Sequence, residues 1–176
     1  LLANFINKPI EKSINNWYIN DAKRMIDGMP NLKVVGITGS YGKTSTKFLL
    51  CDILSVKYSV LATPSSFNTT MGVTRVIREQ LTGSHQVFIA EMGARHVGDI
   101  RELVELVRPT MGLITSVGPQ HLDTFGTIER VRDTKYELID GLPQDGTAIF
   151  ARDGAICEEL YARCPLAHKY MPGDLV

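Results

Sequence analysis

The 176-residue chain lacks an excess of either charge, since 19 Lys and Arg residues balance 19 Asp and Glu residues. Without a global basic field the chain is not expected to hold nucleic acid or anionic lipid, so any anion site must be local. It also lacks the long apolar run of a membrane span and the low apolar content of a disordered chain. Composition therefore predicts an ordinary soluble globular protein and favours a small phosphate ligand over a polymer.

Cysteine is scarce, and its spacing excludes two classes of site. The three cysteines, Cys51, Cys157 and Cys164, form no C-x-x-C pair and are odd in number. This argues against a zinc knuckle and against the disulfide framework of a secreted protein, and it predicts reduced thiols in the cytoplasm. An initiator methionine and the charged and apolar blocks of a signal peptide are missing too, so we expect a segment of a longer protein.

The length predicts one domain with one core. Residues 1–30 are polar and mixed, and they are predicted to be a helical lead-in whose short amphipathic helix at 19–26 ends in a Gly-Met-Pro turn. Residues 31–176 then form the domain itself. Within it, the tail at 156–176 shows no pattern that predicts its fold.

After residue 30, short apolar segments alternate with helical patterns. Strands are predicted near residues 34–38, 58–62, 87–91, 112–115 and 148–150. One helix has a buried face that repeats at i, i+3, i+4 and i+7 and stops before Pro109: Ile100, Leu103, Val104 and Val107. The alternation predicts an α/β fold with a mostly parallel sheet flanked by helices. Ligands of such sheets bind at the carboxyl ends of the strands.

A glycine-rich segment at residues 35–46, VGITGSYGKTST, leaves an apolar strand and enters a helical run that ends near Leu54. Glycines let backbone N–H groups curl around phosphate oxygens, and the helix N-terminus adds partial positive charge. Lys43 is placed to reach the β and γ phosphates, and the Thr44 hydroxyl is placed to ligate Mg²⁺. The segment therefore predicts a phosphate loop for ATP.

The motif departs from the strict G-x-x-x-x-G-K-[ST] pattern, because Ile37 stands where that pattern has glycine. It matches the shorter T-G-x-x-G-K-[ST] form instead. A glycine-rich turn with an exposed lysine is the alternative, but the strand before the motif and the helix after it favour the phosphate loop. The predicted nucleotide-binding residues are Gly39, Ser40, Tyr41, Gly42, Lys43, Thr44 and Ser45.

Two further strands end in polar side chains. The apolar strand at 87–90 ends in Glu91, whose carboxylate at a central strand tip suits a Mg²⁺ ligand. The strand at 111–117 leads to His121 and Asp123, which makes His121 a candidate metal ligand. Taken alone, a hydrated strand-end glutamate and an ordinary histidine explain both positions as well or better.

Four segments in this order resemble the Mur ligase family, and more closely its branch that adds D-alanyl-D-alanine to a UDP-N-acetylmuramoyl tripeptide. They are residues 36–44 (GITGSYGKT), 66–73 (SFNTTMGV), 91–94 (EMGA) with 98–100 (GDI), and 121–123 (HLD) with Lys135 further on. The resemblance runs over residues 33–150. It implies the central ATP-binding domain of such a ligase.

The resemblance implies roles for individual residues. Lys43 would hold phosphates, Thr44 and Glu91 would bind one Mg²⁺, and His121 would help to bind a second. Lys135 would be carbamylated by CO₂ and supply an anionic oxygen to that second metal ion. A lysine reacts with CO₂ as the neutral amine, so Lys135 must be desolvated or close to other cations. Without the family spacing, a hydrated helix lysine is the simpler interpretation.

The family chemistry is amide bond formation. ATP phosphorylates a substrate carboxylate, and an amine then attacks the acyl phosphate. Because negative charge builds up on the transferring phosphoryl group, its stabilisation by cations accelerates the reaction. The implied substrates are a UDP-muramoyl peptide and D-alanyl-D-alanine, with contacts from a substrate region at Asn68, Thr69 and Thr70. The branch often has Asn where Tyr41 and Thr69 stand here, which leaves a relative with another amine acceptor as one alternative.

A non-catalytic nucleotide-binding module is the second alternative, although a scaffold has no need for all the implied catalytic residues. The family's adenine-holding segments and its C-terminal domain lie beyond the sequence given. We therefore expect this fragment by itself to be inactive.

Overall fold

The structure is a computed structural model that describes residues 2–173, and it contains one six-stranded sheet with helices packed on it. The strands are β1 (Lys33–Thr38), β2 (Val60–Ala62), β3 (Val87–Glu91), β4 (Met111–Ile114), β5 (Thr147–Phe150) and β6 (His168–Tyr170). The helices are α1 (Leu2–Asp27), α2 (Lys43–Ser55), α3 (Thr70–Gln80), α4 (Asp99–Val107), α5 (Leu122–Phe125), α6 (Ile128–Asp140) and α7 (Ala155–Arg163).

The sheet has the order β2-β3-β1-β4-β5-β6, and each neighbouring pair is parallel. The chain builds β2 and β3 on one side of β1 and then crosses to build β4, β5 and β6 on the other. The strand order therefore reverses at β1, and such a reversal opens a crevice outside the carboxyl ends of the strands. The predicted α/β fold with a parallel sheet flanked by helices is confirmed.

The side chains of β1 point to both faces of the sheet, and each face has its own core cluster. Val34 packs into a large cluster that includes residues of α1, α3, α4, α6 and α7. Val35 and Ile37 point the other way, into a smaller cluster that α2 covers with Leu50 and Leu54. The sheet thus carries apolar side chains on both faces, as buried parallel strands require.

The five predicted strands are confirmed, with small differences at their ends. Helix α4 is also confirmed, and its last turn closes on Arg108 in the left-handed region directly before Pro109. Helix α7 and strand β6 occupy the tail for which the sequence predicted no fold. Cys157 and Leu160 of α7 are fully buried, so this tail is part of the core.

The N-terminal helix is longer than predicted, because α1 begins at Leu2 and not near residue 19. From residue 9 to residue 21 its side chains are exposed or half-buried, so no apolar period marks this stretch. Ala22 and Ile26 are buried against the large cluster, and Arg78 of α3 binds Asp21 at 2.9 Å. Among the helices of residues 2–173, none has the length and apolar character needed to cross a bilayer.

Candidate nucleotide and metal site

The turn after β1 needs glycine at two positions. Gly39 has a φ of 152°, and a Cβ on it would lie 2.0 Å from Thr115 Oγ1 and 3.0 Å from the Ser116 nitrogen. Gly42 has a φ of 81° at the N-cap of α2. Only glycine accepts this close approach and this left-handed conformation without strain. The chain can therefore turn tightly from β1 into α2.

Four consecutive amides, those of residues 42–45, lie at the start of α2. Within residues 2–173 none of them donates to a protein acceptor, as expected for the first turn of a helix. Together with the helix dipole, such amides form an anion-binding position. Gly42, Lys43, Thr44 and Ser45 of the predicted phosphate loop thus offer free donors.

The amides of Ser40 and Tyr41 are not free donors, because they donate to the loop that follows β4. The Ser40 amide donates to the Ser116 carbonyl at 2.9 Å, and the Tyr41 amide donates to Ser116 Oγ at 2.6 Å. The Thr115 hydroxyl lies 2.6 Å from the Tyr41 carbonyl, and the Gly118 amide donates to Ser40 Oγ at 2.9 Å. We call residues 115–118 the β4 loop. It fixes the phosphate loop from one side.

Glu91 lies at the other side of the phosphate loop, at the tip of β3. The register pairs it with Ile37 of β1, and its side chain is almost fully buried. Its carboxylate oxygens accept from Thr44 Oγ1 at 3.0 and 3.1 Å. They also accept from Lys47 Nζ at 2.8 Å and from Asn68 Nδ2 at 3.3 Å. The structure therefore brings Glu91 and Thr44 together, and their shared role as Mg²⁺ ligands stays a prediction.

The pKa of Glu91 is lowered, although its burial acts in the opposite direction. Burial alone would raise the pKa, but the hydrogen bond and charge of Lys47 outweigh it, with help from Thr44 and Asn68. The carboxyl group is thus ionised at neutral pH beside a hydroxyl oxygen. A carboxylate and a hydroxyl at the edge of a phosphate loop are oxygen donors of the kind that Mg²⁺ binds together with substrate phosphates.

The ammonium group of Lys43 lies over the phosphate loop. Its Nζ donates to the Gly39 carbonyl at 2.7 Å and to the Ser40 carbonyl at 3.3 Å. Burial lowers the pKa of Lys43, and the negative charge of Glu91 partly opposes that shift. Lys43 is thus a cation at the position where the amides of α2 begin.

Lys135 lies in the middle of α6 with 3% of its surface exposed. Burial, followed by the positive charge of Lys43, lowers the pKa of Lys135 to about 8. Lys135 is therefore both desolvated and close to a cation, and either condition favours the neutral amine that reacts with CO₂.

His121 is exposed and sits in the left-handed region, with a φ of 55°, at the N-cap of α5. Helix α5 packs against α6, the helix of Lys135. Among residues 2–173 no group of three or more His, Cys, Asp and Glu side chains is arranged to hold a metal ion. The role of His121 in a second metal site stays a prediction.

The three predicted substrate residues have partners inside the protein. Asn68 binds Glu91, and the Thr69 hydroxyl caps α3 by accepting from the Gly72 amide at 3.3 Å. The Thr70 hydroxyl donates to Glu102 at 3.2 Å. These contacts tie the start of α3 to β3 and α4, and they leave the predicted substrate role untested.

The sequence analysis missed Lys47, the residue that binds Glu91 most closely. A signal was present, because Lys47 shares the i, i+3, i+4, i+7 spacing of three residues of α2 that face the sheet: Leu50, Cys51 and Leu54. A lysine in a buried stripe needs an anionic partner, and Glu91 was the nearest candidate at a strand tip. The β4 loop was also missed, since its contacts join residues more than 70 positions apart.

Comparison with known proteins gives a family match over most of the chain. The family model described as Mur ligase middle domain matches residues 37–169. A UDP-N-acetylmuramoyl-tripeptide--D-alanyl-D-alanine ligase of Synechocystis is 37% identical over 132 residues, which is 75% of this chain and 29% of that protein.

Two solved structures resemble the chain closely. A MurF crystal structure from Acinetobacter baumannii has a TM-score of 0.83 at 28% identity, covering 89% of this chain and 34% of that one. The MurF ligase from Thermotoga maritima in complex with ADP has a TM-score of 0.80 at 31% identity, covering 89% of this chain and 35% of that one. The chain thus spans about a third or less of the length of these proteins.

Proposed function

Since the chain belongs to the Mur ligase family, we propose that residues 31–176 form the ATP-binding middle domain of an amide ligase for peptidoglycan precursors. Residues 1–30 would be its helical lead-in. The relatives named as D-alanyl-D-alanine ligases support this reaction, as does the relative solved with ADP. The observation that carries the proposal is the phosphate loop, whose free amides and Lys43 lie beside the ionised Glu91.

In this proposal Lys43 and the amides of residues 42–45 hold the phosphates of ATP. Thr44 and Glu91 hold Mg²⁺, which would neutralise charge on the transferring phosphoryl group. The protein's own part is to position these groups in advance, because the β4 loop and Lys47 fix both sides of the site. Such preorganised positive charge lowers the barrier to phosphoryl transfer.

Lys135 would act as the carbamylated lysine of the second metal site, and His121 would help to bind that metal ion. A pKa of about 8 leaves a substantial neutral fraction at physiological pH, and that fraction can react with CO₂. ¹³C NMR in ¹³C-bicarbonate tests the modification directly. We expect a carbamate signal from the wild-type chain that is absent from Lys135→Met; a signal that persists in this variant would contradict the assignment.

The substrates would be a UDP-muramoyl peptide, whose carboxylate accepts the phosphoryl group, and D-alanyl-D-alanine, whose amine attacks the acyl phosphate. Asn68, which binds Glu91, forms the proposed contact region for the first substrate together with Thr69 and Thr70. In this proposal the enzyme acts in the cytoplasm. These assignments rest on the named relatives, of which the chain spans a third or less.

Titration of Mg-ATP into the chain by calorimetry tests the nucleotide site. Lys43→Ala should weaken binding by at least about 10-fold, equivalent to about 1.4 kcal/mol. Lys57→Ala removes an exposed lysine just after the same helix and serves as the matched control. Equal binding by the wild type and Lys43→Ala would reject the phosphate-loop assignment.

The longer parent protein tests the reaction. We expect phosphate release from ATP when both the UDP-muramoyl peptide and D-alanyl-D-alanine are present, and little with either alone. If phosphate release instead requires a different amine, the protein is a related ligase with another amine acceptor. Absence of turnover with every amine, alongside tight Mg-ATP binding, would favour a non-catalytic nucleotide-binding module.

A further inference from the structure

Lys47 is a fully buried lysine one helical turn beyond Lys43, and the proposed reaction gives it no direct contact with nucleotide, metal or substrate. Its Nζ donates to Glu91 at 2.8 Å and to the Pro64 carbonyl at 3.3 Å, and its exposed fraction is 0%. A buried ammonium group is costly unless it is paired, and replacing the pair by apolar groups is often stabilising. A contribution to folding stability therefore does not explain the Lys47–Glu91 pair well, and an effect of Lys47 on the position of the Glu91 carboxylate is the alternative.

The two oxygens of the Glu91 carboxylate are not equivalent. Oε2 accepts from Lys47, while Oε1 accepts from Asn68 at 3.3 Å, and Thr44 lies within 3.1 Å of both. Oε1 thus has neutral donors alone, whereas Oε2 has a buried cation. Displacing a neutral donor costs less than breaking a buried ion pair. Oε1 is therefore the oxygen that can be released to a new ligand.

The charges of the site also matter for a cation that approaches it. Glu91 carries one negative charge, and the buried Lys47 balances it at close range. Lys43 lies on the same loop and interacts electrostatically with Glu91. The site therefore presents no net negative charge by itself, and a divalent cation gains little Coulomb attraction until phosphates are added.

We propose that Lys47 is a positioning residue that holds Glu91 by Oε2, leaves Oε1 for a divalent cation, and makes binding of that cation depend on nucleotide phosphates. The inference rests on the proposed nucleotide site. It predicts strong positive coupling between metal and nucleotide, which by linkage must be the same in both directions.

Mn²⁺ binding, followed by electron paramagnetic resonance on the chain with and without ADP, measures this coupling. In the wild type we expect ADP to tighten Mn²⁺ binding by at least about 10-fold. Tight Mn²⁺ binding by the wild-type chain without ADP would overturn the inference. This arm of the experiment needs no variant of the buried pair.

Lys47→Met is the diagnostic variant. Without Lys47, either Glu91 keeps its charge and binds Mn²⁺ without ADP, or it becomes neutral and binds Mn²⁺ poorly with ADP. In both cases the coupling factor should fall by about 10-fold or more, whereas metal-free ADP should bind within about 2-fold of the wild type. Lys57→Met is the matched control and should keep the full coupling.

The outcomes separate this inference from the proposed function. If the wild-type chain binds ADP neither with nor without Mn²⁺, the nucleotide site fails and the inference fails with it. If ADP binds and Lys47→Met retains the wild-type coupling factor, the role of Lys47 alone is rejected.

Discussion

At the residue scale, burial has opposite consequences for the two buried lysines of the site. Lys47 has a carboxylate partner at 2.8 Å, whereas Lys135 has no hydrogen bond or ion pair within residues 2–173. An unpaired buried amine favours its neutral form. The burial that the proposed carbamylation of Lys135 requires must therefore reduce the stability of the fold.

That cost predicts an unusual pH dependence. The pKa of Lys135 is about 8 in the folded chain against an ordinary value of 10.5, so the unfolded chain binds more protons between these values. Stability from this group therefore rises with pH from about 8 to 10.5, and the full penalty is present below pH 8. The shift corresponds to a penalty on the order of 3 kcal/mol at pH 7.

Lys135→Met should consequently stabilise the fold at pH 7 by about 1 to 3 kcal/mol in CO₂-free buffer. Urea denaturation at pH 7 and pH 9.5 measures the gain, which should be smaller at the higher pH. Lys135→Arg keeps a buried charge and should show no gain. A gain that is equal at both pH values would show that Lys135 is not the titrating group.

Gly39 gives a second prediction at this scale. An added Cβ would meet Thr115 Oγ1 at 2.0 Å and the Ser116 nitrogen at 3.0 Å, so Gly39→Ala must displace the β4 loop or the phosphate loop. We expect a loss of about 1 to 3 kcal/mol in the free energy of unfolding and weaker binding of Mg-ATP.

Gly83→Ala is the matched control, because a Cβ on Gly83 has no atom within 4 Å. It should change stability by less than about 0.5 kcal/mol and leave binding unchanged. Both free energies come from urea denaturation. Wild-type stability in Gly39→Ala would mean that the two loops are not in close contact.

At the element scale, the site is assembled from three strand tips and the helix that follows the first of them. Strand β1 supplies the phosphate loop and α2, β3 supplies Glu91, and β4 supplies the β4 loop. Ser116 is the central residue of that loop, since its hydroxyl accepts from the Tyr41 amide at 2.6 Å and lies 3.0 Å from the Tyr41 carbonyl. One hydroxyl therefore satisfies two backbone groups of the phosphate loop.

Ser116→Ala should leave the Tyr41 amide without its acceptor. An unsatisfied, part-buried donor costs about 1 to 3 kcal/mol, and a loosened loop should also bind Mg-ATP less tightly. Ser84→Ala removes an exposed hydroxyl at a distant loop and should have neither effect. Calorimetry and urea denaturation on both variants check this; equal behaviour of the two would show that the β4 loop does not support the phosphate loop.

The elements that the sequence predicted are those with local signals. Strands near β1 and β3 are short apolar runs, and the phosphate loop has glycines at fixed spacing, so neighbouring residues suffice to predict them. The length of α1 was missed because residues 9–21 are exposed or half-buried and show no apolar period. Strand β6 was missed because the three residues His168–Tyr170 are half-exposed and carry no apolar run.

The site itself could be predicted in its main residues but not in its contacts. Lys43, Thr44 and Glu91 follow from the motif and from the rule that parallel strands end at one edge. The contact of Lys47 with Glu91 and the contacts of Ser116 with the phosphate loop depend on the strand order, which the sequence did not provide. Asn68 was predicted as a substrate contact, and its bond to Glu91 depends on the same strand order.

At the scale of the whole molecule, ligand binding at the strand tips should stabilise all of the fold. The phosphate loop and α2 join β1, the central strand, to the smaller core cluster, while β3 and β4 link the site to the larger one. A ligand that binds the folded chain but not the unfolded chain adds RT ln(1 + [L]/Kd) to the free energy of unfolding. At a concentration of 100 Kd this is about 2.7 kcal/mol.

For a domain of this size, 1 kcal/mol corresponds to roughly 2 to 4 °C in Tm, so Mg-ATP at that concentration should raise Tm by about 5 to 10 °C. Differential scanning calorimetry of the wild type, Lys43→Ala and Lys57→Ala measures the shift. Lys43→Ala should lose most of it, and Lys57→Ala should keep it. An equal rise of Tm in all three proteins would place the nucleotide away from the phosphate loop, because the loss of Lys43 should weaken any binding at that loop.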